Sequence, residues 1–141
     1  MDLATRAIAT ERVLERYRDK PFSWFGANCI RLARMQAQEM GHDVPPVPNF
    51  RTALGAKRAL KKMGAGSVAG LLDLYFPRLP APAFGIVGDL AVLRGDEDSG
   101  GLEAVCIVDG YGNLFGWHTI VPDGLSTIKQ AQSAILACWR L

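Results

Sequence analysis

The chain divides by the period of its apolar positions. Up to about residue 76 they recur at helical spacing, and from about residue 86 they fall into alternation or short apolar runs. Residues 3–19 predict a first helix, with Leu3, Ala4, Ala7, Ile8, Leu14 and Tyr17 as its apolar side. Arg6, Glu11, Arg12, Glu15, Arg16 and Arg18 are assigned to its wet side; Asp2 can cap it and Pro21 stops it. Residues 28–41 predict a second helix, capped by Asn28 and ended by Gly41, with Cys29, Leu32, Ala33, Gln36, Ala37 and Met40 on one stripe. The prolines of Asp43–Asn49 exclude helix or central strand there. Helical spacing returns over 50–63 on Phe50, Leu54, Leu60 and Met63, and over 68–76 on Val68, Leu71, Leu72 and Tyr75 behind a Ser67 cap. Pro77, Pro80 and Pro82 mark a second extended linker.

Strands are expected at 88–94, 102–108 and 114–120, with turns at 95–101, 109–113 and Pro122-Asp123-Gly124, and a closing strand near Ile135–Leu141. Helices followed by an antiparallel meander give an α+β class, with the N-terminal helices packed on one face of a small sheet. No internal repeat or domain break interrupts residues 1–141, which are expected to form a single domain.

Composition narrows the function classes. With 141 residues and 49% hydrophobic content the chain can bury a core. A net charge of +2 gives no ground for nucleic acid or an anionic membrane as partner, and the Lys57, Arg58, Lys61, Lys62 cluster is read as the wet face of a helix. No apolar run is long enough for a membrane span, and the first residues lack a signal-peptide pattern, so synthesis in a cytosol is expected. The three cysteines, Cys29, Cys106 and Cys138, are odd in number, widely spaced and without CxxC or Cys/His ligand spacing. A disulfide framework, a metal site and a cofactor are therefore not expected. The acidic turn Asp96-Glu97-Asp98 lacks the spacing of a calcium loop and is read as a solvated hairpin tip.

The candidate chemistry lies at Pro21–Ala33, where an aromatic loop leads into Asn28-Cys29 and the cysteine opens a helix. A helix N-terminus favours thiolate. A thiol nucleophile also needs a base, and the chain has two histidines. His42 sits thirteen residues along the same helix, about 20 Å away, which leaves His118. Cys29 is then a small core residue, a nucleophile served by His118, or a reactive thiol without a hydrolytic partner. Trp24 and Phe25 either line a groove or plug the core, the plug being favoured. Cys106 and Cys138 are assigned to the core, and Asp89 to the turn before its strand.

Five segments in order carry a resemblance: Pro21-Phe22-Ser23-Trp24, Asn28-Cys29, Arg58-Ala59-Leu60-Lys61-Lys62-Met63-Gly64, Gly88-Asp89-Leu90-Ala91-Val92 and Trp139-Arg140-Leu141. The set resembles the NlpC/p60-like, papain-like cysteine peptidases and amidases that act on peptidoglycan, and within them a branch encoded among phage tail-assembly genes. The resemblance implies Cys29 as nucleophile and places the family's histidine base at Glu103-Ala104-Val105-Cys106, where this chain has Glu103 and no histidine. His118 falls on the next strand, nearer the orienting polar residue. The expected function is a structural component of a phage tail tip or baseplate with a degenerate peptidase site. It would be made in the host cytoplasm, carried in the virion and bound to tail hub or other tail-tip proteins. The alternative is an active cysteine amidase or endopeptidase that cleaves peptidoglycan during DNA entry.

Overall fold

The computed structural model describes residues 1–95, 100–118, 121–128 and 134–141. Four α-helices come first: α1 (Leu3–Tyr17), α2 (Cys29–Glu39), α3 (Ala53–Lys62) and α4 (Val68–Tyr75). Each begins at a side chain that takes up an orphan N–H of the first turn: Asp2, Asn28, Thr52 and Ser67. A 3₁₀ turn, Pro82–Phe84, leads to β1 (Leu90–Leu93), β2 (Ala104–Val108), β3 (Leu114–His118), β4 (Val121–Ile128) and β5 (Ile135–Trp139). The strands are antiparallel in the order β4-β3-β2-β1-β5, so the first four form a meander and the last returns beside the first. This is the expected α+β layout.

Alternation along the strands separates two apolar layers. Leu90, Val92, Val105, Ile107, Ala137 and Trp139 face the helices and join their buried stripes in the main core. Ala91, Cys106, Leu114, Ile128 and Cys138 form a second cluster on the opposite face. Cys106 and Cys138 both pair across Ala91, one on either side, and are buried as expected. At Gly116 an added Cβ would lie 2.7 Å from the Cys106 sulfur, so that strand position has room only for hydrogen.

Several expectations change. The α1 stripe is out of phase: Arg6, Ala9, Thr10, Val13, Leu14 and Tyr17 are buried, while Leu3, Ala4, Ala7 and Ile8 face outward. Arg6 turns inward because a buried carboxylate, Asp89, receives it. On α3, Leu54 is exposed rather than packed, because Ala56, Ala59 and Leu60 form the inner face. The expected turn Pro122-Asp123-Gly124 lies inside β4, an eight-residue strand the apolar pattern did not predict. Proline is tolerated there because β4 is an edge of the sheet. The acidic turn Asp96-Glu97-Asp98 lies outside the described residues.

Asp89 does more than serve its turn. One carboxylate oxygen meets Arg6 and the Leu141 N–H; the other accepts from the Ile86 N–H and from Arg140 Nε. Arg6 also donates to the carbonyls of Val87 and Leu141. The network ties α1, the approach to β1 and the end of β5 together. Beside it, buried Gln36 on α2 donates to Thr10 Oγ1 and to the Gly88 carbonyl.

Candidate functional site

The loop before α2 is built around Asn28. Ser23 and Ala27 exchange backbone hydrogen bonds and close the turn. The Asn28 amide donates to the carbonyls of Ser23 and Trp24, at 3.3 and 3.1 Å, while its oxygen caps α2 by accepting from the Arg31 N–H. Asparagine fits because the side chain must donate and accept at once. Aromatic rings hold the outside: Phe22 packs edge-on against Trp24 and Trp117, and Trp24 against Phe50. Trp117 donates its indole N–H to the Lys20 carbonyl. Trp24 is thus part of the core packing, as favoured, whereas Phe25 is 52% exposed beneath the Arg51 guanidinium.

This frame sets Cys29, half-buried, against the start of β2. Its sulfur lies 3.9 Å from the Glu103 carbonyl oxygen, a weak S–H donor contact. Burial pushes the thiol pKa up, and the nearby Glu103 charge adds to the shift. The N–H of Val105 on β2 and those of Cys29 and Ile30 at the helix start pull the other way, but desolvation outweighs them. The balance favours the protonated thiol over the thiolate.

Glu103 stands beside Cys29 at the strand start where the resemblance places a base, and its carboxylate is used elsewhere. Its two oxygens accept from the Val68 and Ala69 N–H groups at 3.3 and 3.1 Å, and Ser67 Oγ takes the Gly70 N–H. Together the two side chains satisfy the first turn of α4 and put a negative charge at its positive end. The sequence signal was present, a Ser67 cap and an acid in an apolar strand, but their meeting depends on a contact more than thirty residues apart.

His42 is at the far end of α2 with its ring against Phe76. The His118 main chain ends β3, paired with Val121; its side chain, and hence the distance from Cys29, lies outside the described residues. Among the described residues no group of three or more His, Cys, Asp or Glu is placed to hold a metal ion. An apolar cavity of about 40 Å³ lies between α2, the proline-rich connection and α4, lined by Ile30, Ala33, Met63, Leu72 and Val105 among others, and Cys29 is not part of its wall. Among the described residues, no helix is long and apolar enough to cross a membrane.

Four helices followed by an antiparallel sheet is a fold this chain shares with solved NlpC/p60 domain proteins. NlpC1 from Trichomonas vaginalis matches over 96% of this chain with a TM-score of 0.56 at 14% identity, and this chain spans 43% of that one. RipD from Mycobacterium tuberculosis, described as a non-catalytic NlpC/p60 domain protein adapted to peptidoglycan binding, matches over 96% of this chain and 97% of its own, with a TM-score of 0.50 at 16% identity. At such identities the likeness is one of fold. The chain belongs to the family described as Domain of unknown function (DUF6950), whose model matches residues 2–141. No curated protein matches it in sequence.

Proposed function

We propose that this chain is a non-hydrolytic NlpC/p60-type module that serves as a structural component of a phage tail tip or baseplate, made in the host cytoplasm and retained in the virion. The observation that carries the loss of hydrolysis is the Glu103 carboxylate, which stands beside Cys29 and is committed to the N-terminus of α4; burial, which raises the Cys29 thiol pKa, acts in the same direction. A peptidase base must reach the thiol, and the group in that place is held by two backbone N–H groups. RipD, described as non-catalytic, supports the separation of this fold from hydrolysis. The ordered motifs from Pro21 to Leu141 support the tail branch.

The competing reading is a cysteine amidase or endopeptidase acting on peptidoglycan, with His118 as base. The N–H groups of Val105, Cys29 and Ile30 around the sulfur favour it, because they would stabilise thiolate if the thiol were rehydrated.

The test combines particles with enzymology. Mass spectrometry and cryo-EM of purified virions are expected to find the chain in the tail. A Cys29→Ala phage is expected to plate as well as the parent, and the purified protein to leave peptidoglycan intact. Cleavage that Cys29→Ala abolishes would overturn the non-hydrolytic reading. Absence of the chain from particles would overturn the tail assignment alone.

A further inference from the structure

The outer face of α3 has an arrangement that its fold does not require. Helix packing uses Ala56, Ala59 and Leu60. Opposite them Leu54 stands 58% exposed, and the residues three, four and seven positions on are Lys57, Arg58 and Lys61, all exposed. At that spacing the three cations share the leucine's face of the helix, on its C-terminal side. Arg51, just before the helix, adds a further exposed cation and stacks its guanidinium over exposed Phe25, 5.1 Å from the ring centre.

Among the described residues, the charge on this face is of one sign. Residues 44–72 hold five of the chain's 16 Lys and Arg and none of its 14 Asp and Glu, which leaves the rest of the chain net negative. Among the described residues, Arg51, Lys57, Arg58, Lys61 and Lys62 have no ion-pair partner. The helix dipole accounts for Lys61 and Lys62 in the last turn. It does not account for Arg51, before the helix, or Lys57, in its first half, where cations face the positive end.

We propose that this face, Phe25 and Arg51 with Leu54, Lys57, Arg58 and Lys61, docks a partner protein through an apolar depression rimmed by carboxylates. The exposed leucine decides the class of partner. A phosphate backbone gives Leu54 nothing to bury, whereas a protein surface covers an apolar knob and pairs the neighbouring cations at its rim. The rim charges steer the encounter and Leu54 holds the complex. The inference rests on the tail-component reading above.

Zero-length carbodiimide cross-linking tests it, because that reagent joins a lysine amine to a carboxylate only when the two are in contact. The tagged full chain is cross-linked in the cells that make it, purified under denaturing conditions and mapped by mass spectrometry. Lys57, Lys61 or Lys62 is expected to be joined to Asp or Glu of one recurring protein, in preference to Lys20. Leu54→Asp is expected to reduce these links about tenfold or more, with an unchanged circular dichroism melt. Leu54→Met is expected to retain them. Several results would overturn the proposal: α3 links absent, confined to this chain (Asp96–Asp98 included) or made to a second copy, co-purification lost on nuclease treatment, or links unaffected by Leu54→Asp. A partner outside the tail would overturn the tail assignment and leave the docking face standing. Particles that contain the chain without α3 links would do the reverse.

Discussion

Asn28 shows how much rests on a single amide. It caps α2 through its oxygen and ties down the preceding loop through its nitrogen, almost wholly buried. Asn28→Asp keeps the cap acceptor but sets a carboxylate against two carbonyls. A loss of about 1–3 kcal/mol is expected in urea unfolding, and an unchanged midpoint would show that the loop is not held as described. The thiols give a second test. Burial raises all three, Cys106 to about 12 and Cys138 to about 11. The native protein is therefore expected to react slowly with a thiol reagent at pH 8, Cys29 first, and all three quickly once unfolded. Labelling of Cys29 as fast as free glutathione would mark an activated thiolate. Because the folded values are raised, the stability these groups contribute is complete below the ordinary thiol pKa. It is lost as pH rises from there through the folded values, since only the unfolded chain releases protons first. Denaturation midpoints are expected to fall progressively above about pH 9.

At the scale of elements, α4 depends on a strand it does not adjoin in sequence. Ser67 and Glu103 satisfy three N–H groups of its first turn. Glu103→Ala is expected to cost about 1–2 kcal/mol and to speed amide exchange at Val68 and Ala69. Ser67→Ala is expected to cost about 1 kcal/mol. If Glu103→Ala gave a more stable protein with faster Cys29 alkylation, the carboxylate would be serving the thiol rather than the helix. The helix starts were legible because caps are local: Asp2, Asn28 and Ser67 were recognisable from their neighbours alone. The α1 face was not, because Arg6 lies in phase with Val13 and Tyr17 and a charged residue on that stripe argues against burial until its partner is known. The strand over Val121–Ile128 was hidden for a related reason. Its Pro-Asp-Gly reads as a turn, and only its place at the sheet edge makes a proline acceptable.

For the whole molecule, the Asp89 network closes the structure on itself. Arg6 is 4% and Asp89 0% exposed, and between them they engage α1, the β1 approach and the last two residues. Removal of one partner strands a buried charge, so Asp89→Ala is expected to cost about 3–5 kcal/mol. Arg140→Ala, at a more exposed position, is expected to cost less. Equal small effects from both in guanidinium titrations would mean that the network does not join the two ends of the chain.

The sequence by itself determined the class of fold, three of the four helix starts, the proline-bound connections, the thiol at the head of α2 and the absence of a histidine at the start of β2. These follow from periodicity, capping chemistry and residue identity, all of which act over a few neighbours. The tertiary structure decided which face of α1 is buried, where the Glu103 carboxylate goes and in which direction the Cys29 thiol pKa moves. Each depends on partners distant in the chain. Desolvation in particular is set by everything packed around the sulfur, and it overrides the local pull of the helix N-terminus.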